Sequence, residues 1–207
     1  MSMTIHIGDA LTHGHGLLRL PRMTSDEFWQ FCQDNPTLQV ERNAEGDIVL
    51  MAPSDSWTEN RNSELQTDLS LWNRRLPNPG LVFGSSAGFT LPNGAERSPD
   101  QAWVARERWD SVPPALRRPF SHISPDFVVE MMSPSDRIKD ARAKMNEYIA
   151  NGVRLGWLID RKTRTVYVYR PGEAAVKFDN PASLSGDPEL PGFSADLQQV
   201  FLPDAGE

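Results

Sequence analysis

Residues 124–133 read SPDFVVEMMS, and the fold turns on how that run is taken. Phe127, Val128 and Val129 are apolar without alternation, and Pro125 and Ser133 bound the run. That is the pattern of a strand buried on both faces near the centre of a sheet. Glu130 sits inside it. A carboxylate in such a setting needs a partner when buried, and a metal ion or a lysine is the obvious kind. Asp126 and Glu130 share one face of the strand, but four residues at about 3.3 Å each hold their backbones roughly 13 Å apart. That is too far for the two to share one ion directly.

Working outward, Asp100 follows Pro99 at the start of a second strand, SPDQAWVA. If the two strands run antiparallel, the beginning of one lies beside the end of the other. Asp100 and Glu130 then become the natural ligand pair, with Asp126 a second-tier ligand or a structural residue. On the other side, Pro134, Ser135 and Asp136 begin a helix that closes at Gly152. Ile138, Ala141, Met145, Tyr148 and Ile149 form its buried stripe. Lys144 lies on the border of that stripe, about a quarter turn from its centre at roughly 100° per residue. From there its stem can run over the sheet and present the ammonium to a site. Lys139 points well away.

Carboxylates on neighbouring strands beside a lysine suit a hard cation, Mg²⁺ or Mn²⁺, which takes oxygen ligands. Such an ion polarises a phosphate and acidifies its water, while the lysine orients the nucleophile or offsets developing charge. That is phosphodiester hydrolysis chemistry.

The remaining elements follow from periodicity. Thr24 and Glu27 have capping-box spacing, Met23 can staple onto Phe28, and a short helix runs to about Gln33. LQVERN and DIVLMA flank Ala44-Glu45-Gly46 as a hairpin. Leu65, Leu69, Trp72 and Leu76 mark an amphipathic helix from about Ser56 to Leu76, with Glu64 on its border. LVFGSSAGFTL reads as one strand, and LGWLID and TVYVYR as two more. From about Arg106 to Ser124 runs an insertion rich in Arg and Pro, and from Pro171 onward come short strand-like pieces. The order helix, three strands, helix, two strands implies an α/β chain with one mixed sheet between helices. Residues 1–22 read as a flexible leader and 23–207 as a single domain.

Composition narrows the function. The chain has 207 residues, 21 Lys+Arg against 28 Asp+Glu, and a net charge of −7. No apolar run approaches the roughly 20 residues of a membrane span, so no membrane partner is expected. A single cysteine, Cys32, rules out an internal disulfide and suits a reducing, cytoplasmic setting. The acidic balance disfavours coating nucleic acid by bulk charge but leaves room for a local basic groove. Candidates to grip phosphate are Arg97 and, in the insertion, Arg106, Arg108, Arg117 and Arg118. Lysine is scarce, at positions 139, 144, 162 and 177.

RNSELQTDLSLWN, SSAGFTLPNGAERSPDQAWV, SPDFVVEMMSPSD and KMNEYIANGVRLGWLID, followed by TVYVYRPG, resemble the Uma-type family. These are bacterial restriction-endonuclease-like proteins with a PD-(D/E)xK nuclease core. The resemblance runs from about Met23 to Gly172. It implies a helix, a three-strand meander, a helix and a strand, with Asp100 as the aspartate of the second core strand and Glu130 as the acidic residue of the third. Glu64 takes the place of the helix glutamate. The usual lysine, two residues after the strand glutamate, falls on Met132, and Lys144 on the next helix is the substitute. The activity implied is Mg²⁺-dependent cleavage of DNA, with Glu64, Asp100 and Glu130 on the metal and Lys144 assisting the attacking water. A homodimer is expected by analogy. The rival is a catalytically silent nuclease-fold binding or interaction module, which Met132 and the acidic charge favour.

Overall fold

The computed structural model describes residues 15–18, 22–51, 54–134 and 136–203. In chain order the elements are β1 (His15–Leu18), α1 (Ser25–Asp34), β2 (Gln39–Arg42), β3 (Ile48–Met51), α2 (Ser56–Arg75), β4 (Leu81–Gly84), β5 (Phe89–Thr90), β6 (Glu96–Arg97), β7 (Gln101–Val104), α3 (Arg106–Ser111), β8 (Phe127–Met132), α4 (Ile138–Ala150), β9 (Leu155–Asp160), β10 (Thr165–Tyr169), β11 (Val176–Asp179), β12 (Ser183–Ser185), β13 (Ser194–Asp196) and α5 (Leu197–Val200). Among the described residues, no helix is long and apolar enough to cross a membrane.

β8 lies inside a six-stranded sheet of order β11-β10-β9-β8-β7-β4, and Phe127, Val128 and Val129 are fully buried. β8 runs parallel to β9 and antiparallel to β7, so the sheet is mixed. A parallel neighbour requires a crossover, and α4 supplies it. Strand alternation then divides the core between the two faces. Val128 and Leu158 meet Met145 and Tyr148 of α4 on one face, whereas Phe127, Val129 and Trp157 meet Leu65, Leu69 and Trp72 of α2 on the other. Each of these large side chains adds roughly 1.5–3 kcal/mol when fully buried. α5 and the small β12–β13 pair complete the α2 face with Phe193, Leu197 and Val200.

A separate five-stranded sheet has the order β1-β3-β2-β6-β5. The single mixed sheet expected from the sequence is therefore two larger sheets and a small third. The reason is local: β5 and β6 are two residues each, too short to show alternation. LVFGSSAGFTL breaks at its Ser-Ser-Ala-Gly centre, so β4 joins the large sheet and β5 the other. Gly88, at this break, leaves room for Phe120, whose ring a Cβ there would strike. The β2–β3 hairpin forms as its sequence indicates, with Gly46 at φ +91° in the turn. Its apolar face, Ile48 and Leu50, packs on Phe28 and Phe31 of α1. Thr24 caps α1 in a capping box with Glu27, its hydroxyl accepting from the Glu27 N–H at 3.2 Å.

Two expected boundaries move. Within the expected leader, His15–Leu18 pairs antiparallel with β3, while 1–14 and 19–21 lie outside the described residues. α4 starts at Ile138 rather than in Pro134–Asp136. Asp136 instead closes a turn by accepting from the Ser133 N–H at 2.7 Å, and Ser135 lies outside the described residues.

Candidate active site

The antiparallel register decides which carboxylates meet. Gln101 pairs with Val129, so one step further brings Asp100 alongside Glu130. The Met131 N–H donates to Asp100 Oδ2 at 2.7 Å, tying the two strand ends together. Burial and the adjacent Glu130 push the Asp100 carboxyl up to about 8.

Lys144 reaches this point from α4. Its Nζ lies 2.8 Å from Glu130 Oε1 and 2.9 Å from Glu41 Oε1. Burial opposes its charge, but Glu130 and Glu41 outweigh that and hold the ammonium above the usual lysine range. It stays protonated, so it acts as a donor and a fixed positive charge rather than as a base. Tyr148, four residues on and thus on the same helical face, donates to Glu130 Oε1 at 2.8 Å. Burial raises the Glu130 carboxyl above its ordinary value despite Lys144. The phenol of Tyr148, buried beside that carboxylate, is pushed well up and stays protonated.

Glu41 was not among the residues singled out from sequence. It is 2% exposed, and it accepts from Lys144, from Arg97 Nη1 at 3.0 Å and from the Ser98 N–H at 2.9 Å. Burial alone would raise its carboxyl, but Lys144 and Arg97 outweigh it and keep Glu41 below the usual value, hence charged. Nothing in LQVERN marks it, because its partners come from β6 and α4, far along the chain. The one available signal is hairpin alternation, which puts Gln39, Glu41, Val49 and Met51 on the face opposite the α1 core. Arg97 also grips Glu147 Oε2 at 2.6 Å through its Nε. Its guanidinium thus holds two carboxylates, and the expectation that it grips phosphate finds it already engaged.

These groups line a cleft of ≈ 910 Å³ between the two sheets and α4. Asp100, Glu130 and Lys144 come together in it as expected. Glu64 does not: it is exposed, and Glu59 lines the cleft from α2 instead. Five residues at about 100° each put the two glutamates on well-separated faces of that helix. Asp126 is also elsewhere, at the far end of β8. It is fully buried, accepts from the Ala105 N–H at 2.8 Å and pairs with Arg108 at 2.9 Å and Arg154 at 3.2 Å. Those partners make it a structural clamp. None of the insertion arginines lines the cleft. Arg108 serves Asp126, Arg106 donates to the Pro79 carbonyl at 3.1 Å, Arg117 donates to the Val112 carbonyl at 2.9 Å, and Arg118 is exposed.

Among the described residues, no three Asp, Glu, His or Cys side chains gather as a ready metal cage. Mg²⁺ is commonly held by only one or two carboxylates together with water and substrate phosphate. Asp100 and Glu130 fit that role. Asp100 is driven toward its neutral form by burial and then by the neighbouring Glu130, and a divalent ion held by the two would favour the charged form.

A family model described as "Putative restriction endonuclease", Uma2, matches residues 25–198. The chain belongs to the Uma2 family. No curated protein matches this Uma2 member. Among solved structures, it is similar to the crystal structure of a "putative nuclease belonging to DUF820" from Anabaena variabilis, with 22% sequence identity and a TM-score of 0.69 over 86% of this chain and 97% of that one. At that identity the likeness shows a shared mixed α/β fold.

Proposed function

We propose that this Uma2 protein is a metal-dependent endonuclease that hydrolyses phosphodiester bonds of DNA, built on a PD-(D/E)xK-type core, with Mg²⁺ or Mn²⁺ held by Asp100 and Glu130. The observation that carries the reading is the convergence of Asp100 and Glu130 from adjacent antiparallel strand ends with the Lys144 ammonium 2.8 Å from Glu130. A divalent ion there supplies Lewis acidity and a more acidic bound water. Lys144 and Tyr148 both bond to Oε1 of Glu130, fixing the carboxylate that would serve as a ligand. Held permanently charged, Lys144 offsets negative charge that develops on the phosphate or the nucleophile. Glu41 and Arg97 position it. A homodimer belongs to the same reading, by analogy with other nucleases.

The test is cleavage of a supercoiled plasmid and of a labelled oligonucleotide in Mg²⁺ or Mn²⁺, compared with EDTA. Cleavage is expected to require metal and to disappear in Glu130→Gln. Metal-dependent cutting that survives in Glu130→Gln refutes the assignment. A binding module is the second reading, favoured by two observations: Met132, where the lysine would stand, is buried among apolar side chains, and Lys144 is clamped between two carboxylates. Under it, Mn²⁺ and nucleic acid bind without turnover.

A further inference from the structure

Charge does not explain how a nucleic acid would enter this cleft. Among the described residues lining it, seven are acidic, and the basic ones are Arg97, Arg137 and Lys144. Each of those three is already in an ion pair: Arg97 with Glu41 and Glu147, Lys144 with Glu41 and Glu130, and Arg137 with Asp140 at 2.8 Å. Duplex DNA draws much of its affinity from Lys and Arg displacing counterions. This cleft offers little of that.

Part of its lining is different in kind. Trp29, Cys32, Pro36, Leu38 and Phe120 give the cleft an apolar stretch. Trp29 is 40% exposed, unusual for so large a ring, yet it is held in a set orientation. It stands edge-on to Phe120 at 5.6 Å and 87°, and Phe120 in turn stacks on Phe28 at 5.5 Å. Gly88 makes room for Phe120 in that position. An indole braced from one side and open to a cleft is a platform for a flat aromatic ligand.

We infer that the cleft takes single-stranded nucleic acid, one base stacking on Trp29 while a phosphate of the same strand would meet the cation proposed at Asp100 and Glu130, beside Lys144. The inference rests on the nuclease reading and adds the form of the substrate. Base–aromatic stacking is sequence-tolerant, an attraction that supplements the little positive charge this cleft offers. An unpaired strand also presents its bases to the platform, as a duplex does not.

The test uses the full chain and a fluorescein-labelled oligonucleotide, single-stranded or annealed to its complement, titrated by anisotropy with Ca²⁺ in place of Mg²⁺. The single strand is expected to bind more tightly than the duplex. Trp29→Ala, at an exposed position, is expected to weaken single-strand binding by about tenfold, and Trp29→Phe to restore most of it. Equal affinity of Trp29→Ala and wild type, or a preference for the duplex, overturns the inference while leaving the nuclease reading to stand on Glu130-dependent cleavage. Failure to bind either form overturns it too.

Discussion

Replacing Lys144 with Met keeps most of the stem and removes the charge that two buried carboxylates share. Glu41 and Glu130 lie 2.9 and 2.8 Å from the ammonium, and Glu41 is 2% exposed. Taking one partner out of a buried ion pair destabilises by about 3–5 kcal/mol, because the remaining charge is stranded. Arg97 still neutralises Glu41, so Glu130, beside Asp100, is the stranded group. With a urea m-value of about 2 kcal/mol/M, the midpoint should fall by roughly 2 M at pH 8. The loss should shrink as pH falls, by at most about 1.4 kcal/mol per unit for one carboxylate, because protonated Glu130 no longer needs the lysine. Urea titrations of wild type and Lys144→Met at pH 5.5 and 8 measure both effects. A loss below about 1 kcal/mol that is the same at both pH values would refute the placement of Lys144 as the neutralising charge of a buried cluster.

Three further outcomes follow from particular side chains. Asp126→Ala should lower stability by about 1–3 kcal/mol, since it leaves the Ala105 N–H without its acceptor while the part-exposed Arg108 and Arg154 turn to water, yet metal-dependent cleavage by the folded fraction should persist; loss of cleavage at full stability would return Asp126 to the site. Burial first, and Glu96 second, push the Cys32 thiol up to about 11, so its alkylation at pH 7.5 should run roughly 10- to 100-fold slower than that of a thiol at 9; stopped-flow labelling at the free-thiol rate contradicts the apolar setting of that thiol. Between the ordinary carboxylate value near 4 and about 8, the unfolded chain has released the proton that folded Asp100 retains. Metal-free protein should therefore lose stability as pH rises through that window, by up to about 1.4 kcal/mol per unit from this group. Asp100→Asn should flatten the slope, and an unchanged slope in the urea-measured profile would place Asp100 in a more polar setting.

Individual elements were legible where a few neighbouring residues carry their own signal: an apolar run, a capping box or a turn glycine. FVVEMM announced a buried central strand, Thr24 and Glu27 a helix start, and Gly46 a hairpin turn; all three form. β5 and β6 were not, because two residues have no period and their pairing is decided by distant strands. Glu64 illustrates the same limit on a helix. The stripe Leu65, Leu69 and Trp72 shows which face is buried, but not which side of that face turns toward a cleft; Glu59 is the glutamate that does.

For the site, local sequence sufficed to nominate Asp100, Glu130 and Lys144, because a carboxylate in an apolar strand demands a partner and the chain has few lysines. Strand length already set Asp126 apart from Glu130, but only tertiary structure supplied the antiparallel register that puts Asp100 beside it. Only tertiary structure, again, recruited Glu41, engaged Arg97 and sent the insertion arginines to other duties. The physical reason is one of range: periodicity and burial demand are set within a few residues, whereas an ion pair between β2, β6 and α4 exists only once some hundred residues of intervening chain have been folded back.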